Sequence, residues 1–568
     1  MKFFKGILPL IVILIFSFFA FKSLLMPGFF PIHDDTQVAR VFEMTKALKD
    51  GMFPVRWSED LGYGFGYPIF NFYNPFPYYV GGFISLFGAN ALLSTKLMML
   101  LGVILAGFSM YVLAKEFWGK WGGILASLFY IYAPYHAVDI YVRGDVAEFW
   151  AYALIPLLFY SLWKIYKEQK WKYVVLFSVS FALIIISHNL TAVMISPFLV
   201  AGVALGSFFP DKGRKLLTFF YSFLGILLGL LLSAFYSLPV ILEMKYTNIL
   251  SQIGGGANFR DHFVCPGQLW TSVWGYGGSV PGCNDGLSFM IGKYHIILSA
   301  FLFLLAIFLL LSGKFGNYFE KEKQKLIVIV ISFIGFLTAI FFTLEISKPV
   351  WELISPMSFL QYPWRFLVVS AFFTSFISGA IIWVLGKFVS NKAGNFAISV
   401  ILSIGIVLVS AKFFVPQVYL PKTSEDYTLN SVISWTTSKI SDEYMPKNFR
   451  QPKNVTQIAN FSNLNSKDLK VVEFTRKTQE LSLDLLVYKD INLVLPLAYF
   501  PAWKGTLDGQ SIPLTQNKSG ILIALPEGRH SLKLAFVSTV PETVGNLLSL
   551  AGIVVLFIGI IQSRKKHE

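Results

Sequence analysis

The side chains best suited to chemistry in this sequence are carboxylates in two short clusters. Asp34 and Asp35 stand together in Phe30-Pro31-Ile32-His33-Asp34-Asp35, just past the first apolar run. Asp145 and Glu148 follow Arg143 in Arg143-Gly144-Asp145-Val146-Ala147-Glu148, just before a later one. A carboxylate is costly in hydrocarbon, so paired acids at the ends of apolar runs need a wet or functional site. Such a group can take a proton from an attacking hydroxyl, and spaced carboxylates can hold a divalent cation. Arg143 adds a planar fork that donates two hydrogen bonds to a phosphate at once. Each cluster also has a structural reading. Asp34 with Gln37, and Asp145 with Glu148, fit capping boxes at helix starts, and Arg143 fits an interfacial ion pair. Capping alone does not explain two adjacent acids preceded by His33.

Further candidates lie nearby. Glu59 and Asp60 sit among glycines and aromatics between Trp57 and Pro68. Glycine permits a close backbone approach to a ligand, and aromatic faces suit the apolar faces of sugars; a solvated loop is the alternative. His188-Asn189 interrupt an apolar run, as a simple turn or as part of a site. Arg365, in Tyr362-Pro363-Trp364-Arg365, opens another run and either snorkels to the interface or binds a lipid phosphate. The sequence carries no Walker loop, no dinucleotide fingerprint, no CxxC pair, no HExxH and no nucleophile elbow. A transferase acting outside the cell without a nucleotide site needs a lipid-borne donor.

These groups are positioned by a membrane scaffold. Of 568 residues, 55% are hydrophobic and 14% charged, and 57 are Phe; a soluble protein carries about 25% charged residues. Apolar runs long enough to cross a bilayer fall near 7–25, 91–113, 121–137, 147–163, 172–188, 190–209, 216–238, 291–312, 325–344, 365–386, 396–414 and 543–562. The first follows Lys2 and Lys5 but lacks a small-residue cleavage site, so it reads as a retained helix. With the N-terminus inside, the inner connections hold Lys115/Lys120, Lys164/Lys167/Lys170/Lys172, Lys212/Arg214/Lys215, Lys314/Lys321/Lys323/Lys325 and Lys387/Lys392, and the tail holds Arg564/Lys565/Lys566. That pattern obeys the positive-inside rule. It accounts for the net charge of +15 without nucleic acid binding. It also puts both termini in the cytoplasm and 26–90, 138–147, 239–290 and 415–541 outside, as expected of a plasma-membrane protein.

The expected organisation is a transmembrane domain over 1–414, an outer β-rich domain over 415–541, and a final span with a basic tail over 542–568. In the first outer segment the periodicity predicts an amphipathic interfacial helix from Thr36 to Asp50, closed by Gly51. Cys265 and Cys283 share one outer segment, as a disulfide or as two free thiols. In the last outer segment Ile491–Ala498, Gly520–Leu525 and His530–Phe536 read as strands. Asp508-Gly509 suits a hairpin turn, and Pro526-Glu527-Gly528 suits another turn. A small β-sandwich follows.

Several motifs together resemble a known family. They are His33-Asp34-Asp35, the stretch Gly51 to Trp57, Gly64-Phe65-Gly66-Tyr67-Pro68 through Tyr73, Ala133-Pro134-Tyr135, and Tyr141-Val142-Arg143-Gly144-Asp145. Ser187-His188-Asn189, Gln361 to Phe366, and Tyr499 to Lys504 add to them. They resemble the prokaryotic membrane family labelled 6-pyruvoyl-tetrahydropterin synthase-related, although nothing here resembles the soluble zinc enzyme. That family is similar to YfhO-type membrane proteins and, more distantly, to the GT-C superfamily of polyprenyl-phosphate-sugar glycosyltransferases. The resemblance implies a GT-C-like bundle of about twelve spans. It places Asp34 or Asp35 at the first-loop catalytic acid and Asp145 and Glu148 at the second acidic position. Those two would also hold a divalent cation such as Mg²⁺ or Mn²⁺. Substrate contacts would come from His33, Arg56, Glu59, Asp60, Tyr73, Arg143, His188 and Arg365. The donor would be a polyprenyl-phosphate sugar drawn from among the membrane lipids, and the acceptor a cell-surface glycan, lipid or protein. The rival expectations are a lipid-linked glycan flippase or transporter, which needs polar groups deep in the spans, and a non-catalytic envelope-assembly protein.

Overall fold

A computed structural model describes residues 2–206, 215–254, 257–312, 322–388 and 392–565. Of the expected inner basic residues, Lys212, Arg214, Lys314, Lys321 and Lys566 lie outside the described residues, as do the side chains of Lys2, Lys5, Lys392, Arg564 and Lys565. The chain is a polytopic α-helical membrane protein that carries a small two-sheet domain near its C-terminus.

The spanning helices are α1 (Lys2–Leu25), α3 (Ala91–Ile131), α4 (Val146–Glu168), α5 (Trp171–Ser187), α6 (Asn189–Gly206), α7 (Lys215–Leu232), α8 (Lys293–Leu311), α9 (Lys323–Thr343), α10 (Pro363–Leu385), α11 (Lys392–Ser410) and α12 (Val540–Lys565). Helix α2 (Gln37–Lys49) belongs to the first connection. Ten of the described helices are long and apolar enough to cross a bilayer. Two features bring the chain to the twelve crossings expected. The 41-residue α3 reverses at Gly119, whose φ of 75° lies in the left-handed region, so it is two spans. No atom crowds a Cβ at Gly119; the backbone turn, not space, selects glycine. Helix α5 has 17 residues and is nearly as long as the others.

Burial sorts the spans. The best window of α10 is 94% buried and that of α4 is 78% buried, whereas those of α7, α8, α11 and α12 are less than a third buried. Their outward side chains, such as Phe219, Phe301, Leu408 and Phe557, are large and apolar. Continuous exposed hydrocarbon of this kind belongs against lipid. The described basic connections gather at one end, where Lys164 pairs with Glu116, Lys167 bonds Gln324 and Lys387 pairs with Glu322. The β domain and the acidic clusters occupy the other end.

Helix α2 departs from expectation. Its N-cap is Thr36 and has no side-chain cap, and Gln37 donates instead to the Gly144 carbonyl at 2.8 Å. The capping box between Asp34 and Gln37 does not form. Nor does α2 lie in the interface: Arg40, Glu43 and Thr45 are buried along with Val38, Val41 and Met44. The polar face is buried because the C-terminal region covers it, with Arg40 donating to Ser441 at 2.8 Å and Asp50 accepting from Thr478. Gly51 closes the helix with φ 87°, as predicted.

The strands are β1 (Leu469–Lys477), β2 (Glu480–Val487), β3 (Ile491–Leu495), β4 (Trp503–Leu507), β5 (Gln510–Ile512), β6 (Thr515–Asn517), β7 (Gly520–Leu525) and β8 (Gly528–Phe536). They form antiparallel sheets of order β1-β2-β8-β4-β5 and β3-β7-β6. Asp508 and Gly509, both with positive φ, make the β4–β5 hairpin turn. The turn at Pro526–Gly528 carries the chain from one sheet to the other. Strands occupy only 469–536; residues 415–468 are short helical turns and irregular chain lying against the helical domain.

Candidate functional site

Two backbone hydrogen bonds bring the acidic clusters together. His33 N donates to Val142 O and Asp34 N donates to Arg143 O, both at 3.0 Å. Residues 139–143 form a single π-helical turn that ends on Gly144 in the left-handed region, with φ 65°. A Cβ there would meet the Ile32 side chain at 2.4 Å, so glycine allows the two segments to touch. Wide turns of this type recur at functional sites.

Arg143 organises the second cluster. Its Nη1 lies 2.5 Å from Asp139 Oδ1 and 3.0 Å from Glu148 Oε2, and its Nη2 lies 2.7 Å from Asp145 Oδ2. The Tyr135 hydroxyl donates to Glu148 Oε1 at 2.5 Å and accepts from Arg143 at 3.1 Å. The guanidinium also lies over the Trp364 ring, 4.8 Å from its centre. Asp145 caps α4 as expected, accepting from Glu148 N at 3.0 Å. The reciprocal half of that box is missing, because the Glu148 side chain turns inward to Tyr135 and the arginines. Arg365 Nε completes the group at 3.4 Å from Glu148 Oε2.

Beside this group is a cavity of about 430 Å³, lined by His33, Asp34, Tyr73, Arg143, Asp145, His188, Arg365 and Glu443, among others. Its roof includes Gly278 and Ser279, in the loop closed by a Cys265–Cys283 disulfide. Ser279 bonds Trp364 and His262, and His33 Nε2 bonds the Tyr276 carbonyl at 3.0 Å.

Within the cavity the groups differ in how far they are satisfied. The Asp34 carboxylate has no hydrogen-bond or ion-pair partner among the described residues. Burial, then the charge of Asp145, raises its pKa above the usual carboxylate value. Asp145 behaves oppositely. Burial would raise it, but Arg143 leads the surrounding charges in holding it down at about 2. Burial holds His188 down at about 4, and its Nδ1 is engaged by Thr191 at 2.7 Å. Arg365 is 7% exposed and spends one N–H on the Leu360 carbonyl, at 3.3 Å; its Nε has no hydrogen bond.

Other expected residues lie elsewhere. Asp35 faces Lys422 at 3.8 Å and does not line the cavity. Arg56 is bonded to Asn71, Phe235 O and Asn546, all at 2.8 Å, where it ties the first outer segment to α12. Glu59 and Asp60 pair with Lys46 at 3.0 and 2.5 Å, and Glu59 with Arg476 of β1 at 3.2 Å. The Gly-rich loop around them is neither solvated nor open to a ligand. It lies buried under the β domain, with Trp57 packed edge-on against Trp503. Asp139 and Glu443 join the site without having been expected there, and Tyr135 enters it from a motif to which no role was given. Asp139 precedes Arg143 by four residues, a spacing that pairs charges on a helix; Glu443 sits in a polar stretch with nothing to mark it.

Asp145, Glu148 and His188 can each offer a ligand atom within 4.8 Å of the others, the grouping expected of a metal site. The donor chemistry does not fit a dication with the arginines in place. Both oxygens of Asp145 and Glu148 Oε1 accept hydrogen bonds, and Glu148 Oε2, which accepts none, is ion-paired with Arg143 at 3.0 Å and with Arg365 at 3.4 Å.

Residues 70–252 match the family described as 6-pyruvoyl-tetrahydropterin synthase related domain, a membrane protein. The resemblance carried by the motifs is borne out over that segment. The chain is also 24% identical over 215 residues to an uncharacterized protein of Lactococcus lactis subsp. cremoris. That match covers 36% of this chain and 35% of the other. Among solved structures, the Archaeoglobus fulgidus oligosaccharyltransferase in complex with Zn and sulfate aligns over 80% of this chain and 58% of its own. The TM-score is 0.43 at 11% identity, too distant to bear on any residue's role.

Proposed function

We propose that the protein is a GT-C-like glycosyltransferase of the cell membrane that moves a monosaccharide from a polyprenyl-phosphate donor to a glycan, lipid or protein acceptor. The carrying observation is that an unpartnered carboxylate, Asp34, and an arginine with unused donors, Arg365, line one cavity at the ends of the spans. The basic connections lie at the opposite end, which under the positive-inside rule supports an outer position for this cavity.

In this mechanism Asp34 takes the proton of the acceptor hydroxyl as its oxygen attacks the anomeric carbon. The bond from carbon to acceptor oxygen forms while the bond from carbon to phosphate oxygen breaks. The electron pair leaves with the lipid phosphate, and attack opposite that phosphate inverts the anomeric configuration. Arg365 stabilises the charge that grows on the departing phosphate. Arg143 holds Asp145 and Glu148 in place, and Asp145 and His188 are set to orient sugar hydroxyls. No step is assigned to a metal, for the reason given by the donor set.

The test uses purified protein in lipid nanodiscs, radiolabelled polyprenyl-phosphate sugars and a cell-envelope extract. Label leaving the lipid for an acceptor supports the reading. Label that stays on the lipid, with folded protein and demonstrated lipid binding, rejects it in favour of transport or assembly.

A further inference from the structure

The acidic cluster has the spacing of a metal site and the neighbours of an anion site. Asp139, Asp145 and Glu148 all converge on Arg143, which is 6% exposed and spends its donors on them and on Tyr135. A dication placed among Asp145, Glu148 and His188 would sit beside two guanidinium charges and displace hydrogen bonds that already exist. Arg143 therefore does what a bound cation does elsewhere: it gathers carboxylates that would otherwise repel. Arg365 is different. A guanidinium has five N–H donors. Among the described residues Arg365 makes one hydrogen bond, to Leu360 O; its Nε makes none and faces Glu148 Oε2 at 3.4 Å as an ion pair, and its Nη2 lies 4.0 Å from Asp145. It is buried, lines the cavity and stands beside Tyr362, with its guanidinium 5.4 Å from that ring's centre. A buried cation with unspent donors facing a cavity is a receptor for an oxyanion.

We infer that Arg143 occupies the place of a metal in this cluster, and that Arg365 binds a phosphate monoester or diester without one. Only the identity of the phosphate-bearing molecule rests on the transferase reading; the absence of a metal requirement does not.

Two measurements on the full chain in nanodiscs test this. The first is Mn²⁺ binding, followed by electron paramagnetic resonance. The wild type should bind no Mn²⁺ at this cluster more tightly than about 1 mM, weaker than ordinary carboxylate sites for divalent cations. Micromolar binding that is lost in Glu148→Gln overturns the inference. Binding that survives Glu148→Gln lies elsewhere and leaves the cluster metal-free, as inferred. The second measurement is the thermal unfolding midpoint with farnesyl phosphate in the bilayer or inorganic phosphate in the buffer. Farnesyl phosphate should raise the midpoint of the wild type and not that of Arg365→Met. If inorganic phosphate does so and farnesyl phosphate does not, the arginine site stands, its ligand is soluble, and the lipid-donor reading fails. If neither raises the wild-type midpoint, or the rise persists in Arg365→Met, the inference falls.

Discussion

At the scale of residues, the cavity holds like groups in unlike states, and that difference can be measured. Asp34 is raised above the usual carboxylate value by burial and by the neighbouring Asp145. The base must be ionised, so the rate should fall as pH drops through that raised pKa. In Asp145→Asn the nearby negative charge is gone and Asp34 ionises more easily. The acid limb of the residual kcat/KM profile should therefore move to lower pH, and an unmoved limb would mean that another group titrates. The two arginines should separate just as clearly. Arg143→Ala leaves Asp139 facing no cation, with Asp145 and Glu148 left to Arg365 alone, and should cost about 3–5 kcal/mol of stability, read from unfolding or from loss of folded protein. Arg365→Ala leaves a folded protein and should lower the transfer rate by about 10²–10³-fold, the usual cost of a lost transition-state donor.

At the scale of elements, two loop segments make the site, and their register is set by backbone contacts. Gly144→Ala would place a methyl group 2.4 Å from the Ile32 side chain at a left-handed φ. The pairing of His33 with Val142 and of Asp34 with Arg143 should loosen, lowering activity at least tenfold with a smaller change in the unfolding midpoint. A variant with wild-type activity would show that this pairing is not needed. The acids themselves were legible in the sequence, because charge at the end of an apolar run is expensive enough to be informative. So were His188 and Arg365, for the same reason. The capping boxes were misleading because side chains that match a cap locally found stronger partners across the fold: Gln37 on Gly144, and Glu148 on Tyr135. The loop from Trp57 to Pro68 was misread for a related reason. Glycines that permit approach to a ligand equally permit approach to another domain, and a Cβ at Gly62 would lie 2.7 Å from Met445 Sδ.

At the scale of the whole molecule, a bundle with apolar outward faces carries a two-sheet domain at one end, and a buried polar cluster links them. The number of spans and the later strands follow from hydropathy and β-propensity. What no periodicity could show is that the region after residue 415 would cover α2 and lend Glu443 to the cavity. Glu43 lies on the buried face of α2. It accepts from Ser58 at 2.6 Å and lies near Lys46, and burial, followed by the charge of Asp60, raises its pKa to about 8. The folded state thus holds a proton that the unfolded chain releases near 4.5. Stability should fall as pH rises from that value to about 8, and Glu43→Gln should flatten the fall when unfolding midpoints are followed against pH. The proposed role of Asp34 as the base of a sugar transfer is tested by label transfer from the polyprenyl-phosphate sugar by wild type, Asp34→Asn and Asp35→Asn. Transfer should fall by about 10²–10⁴-fold in Asp34→Asn and by less than about tenfold in Asp35→Asn, both proteins remaining folded. Transfer that persists in Asp34→Asn, or that is lost in Asp35→Asn instead, would contradict that role.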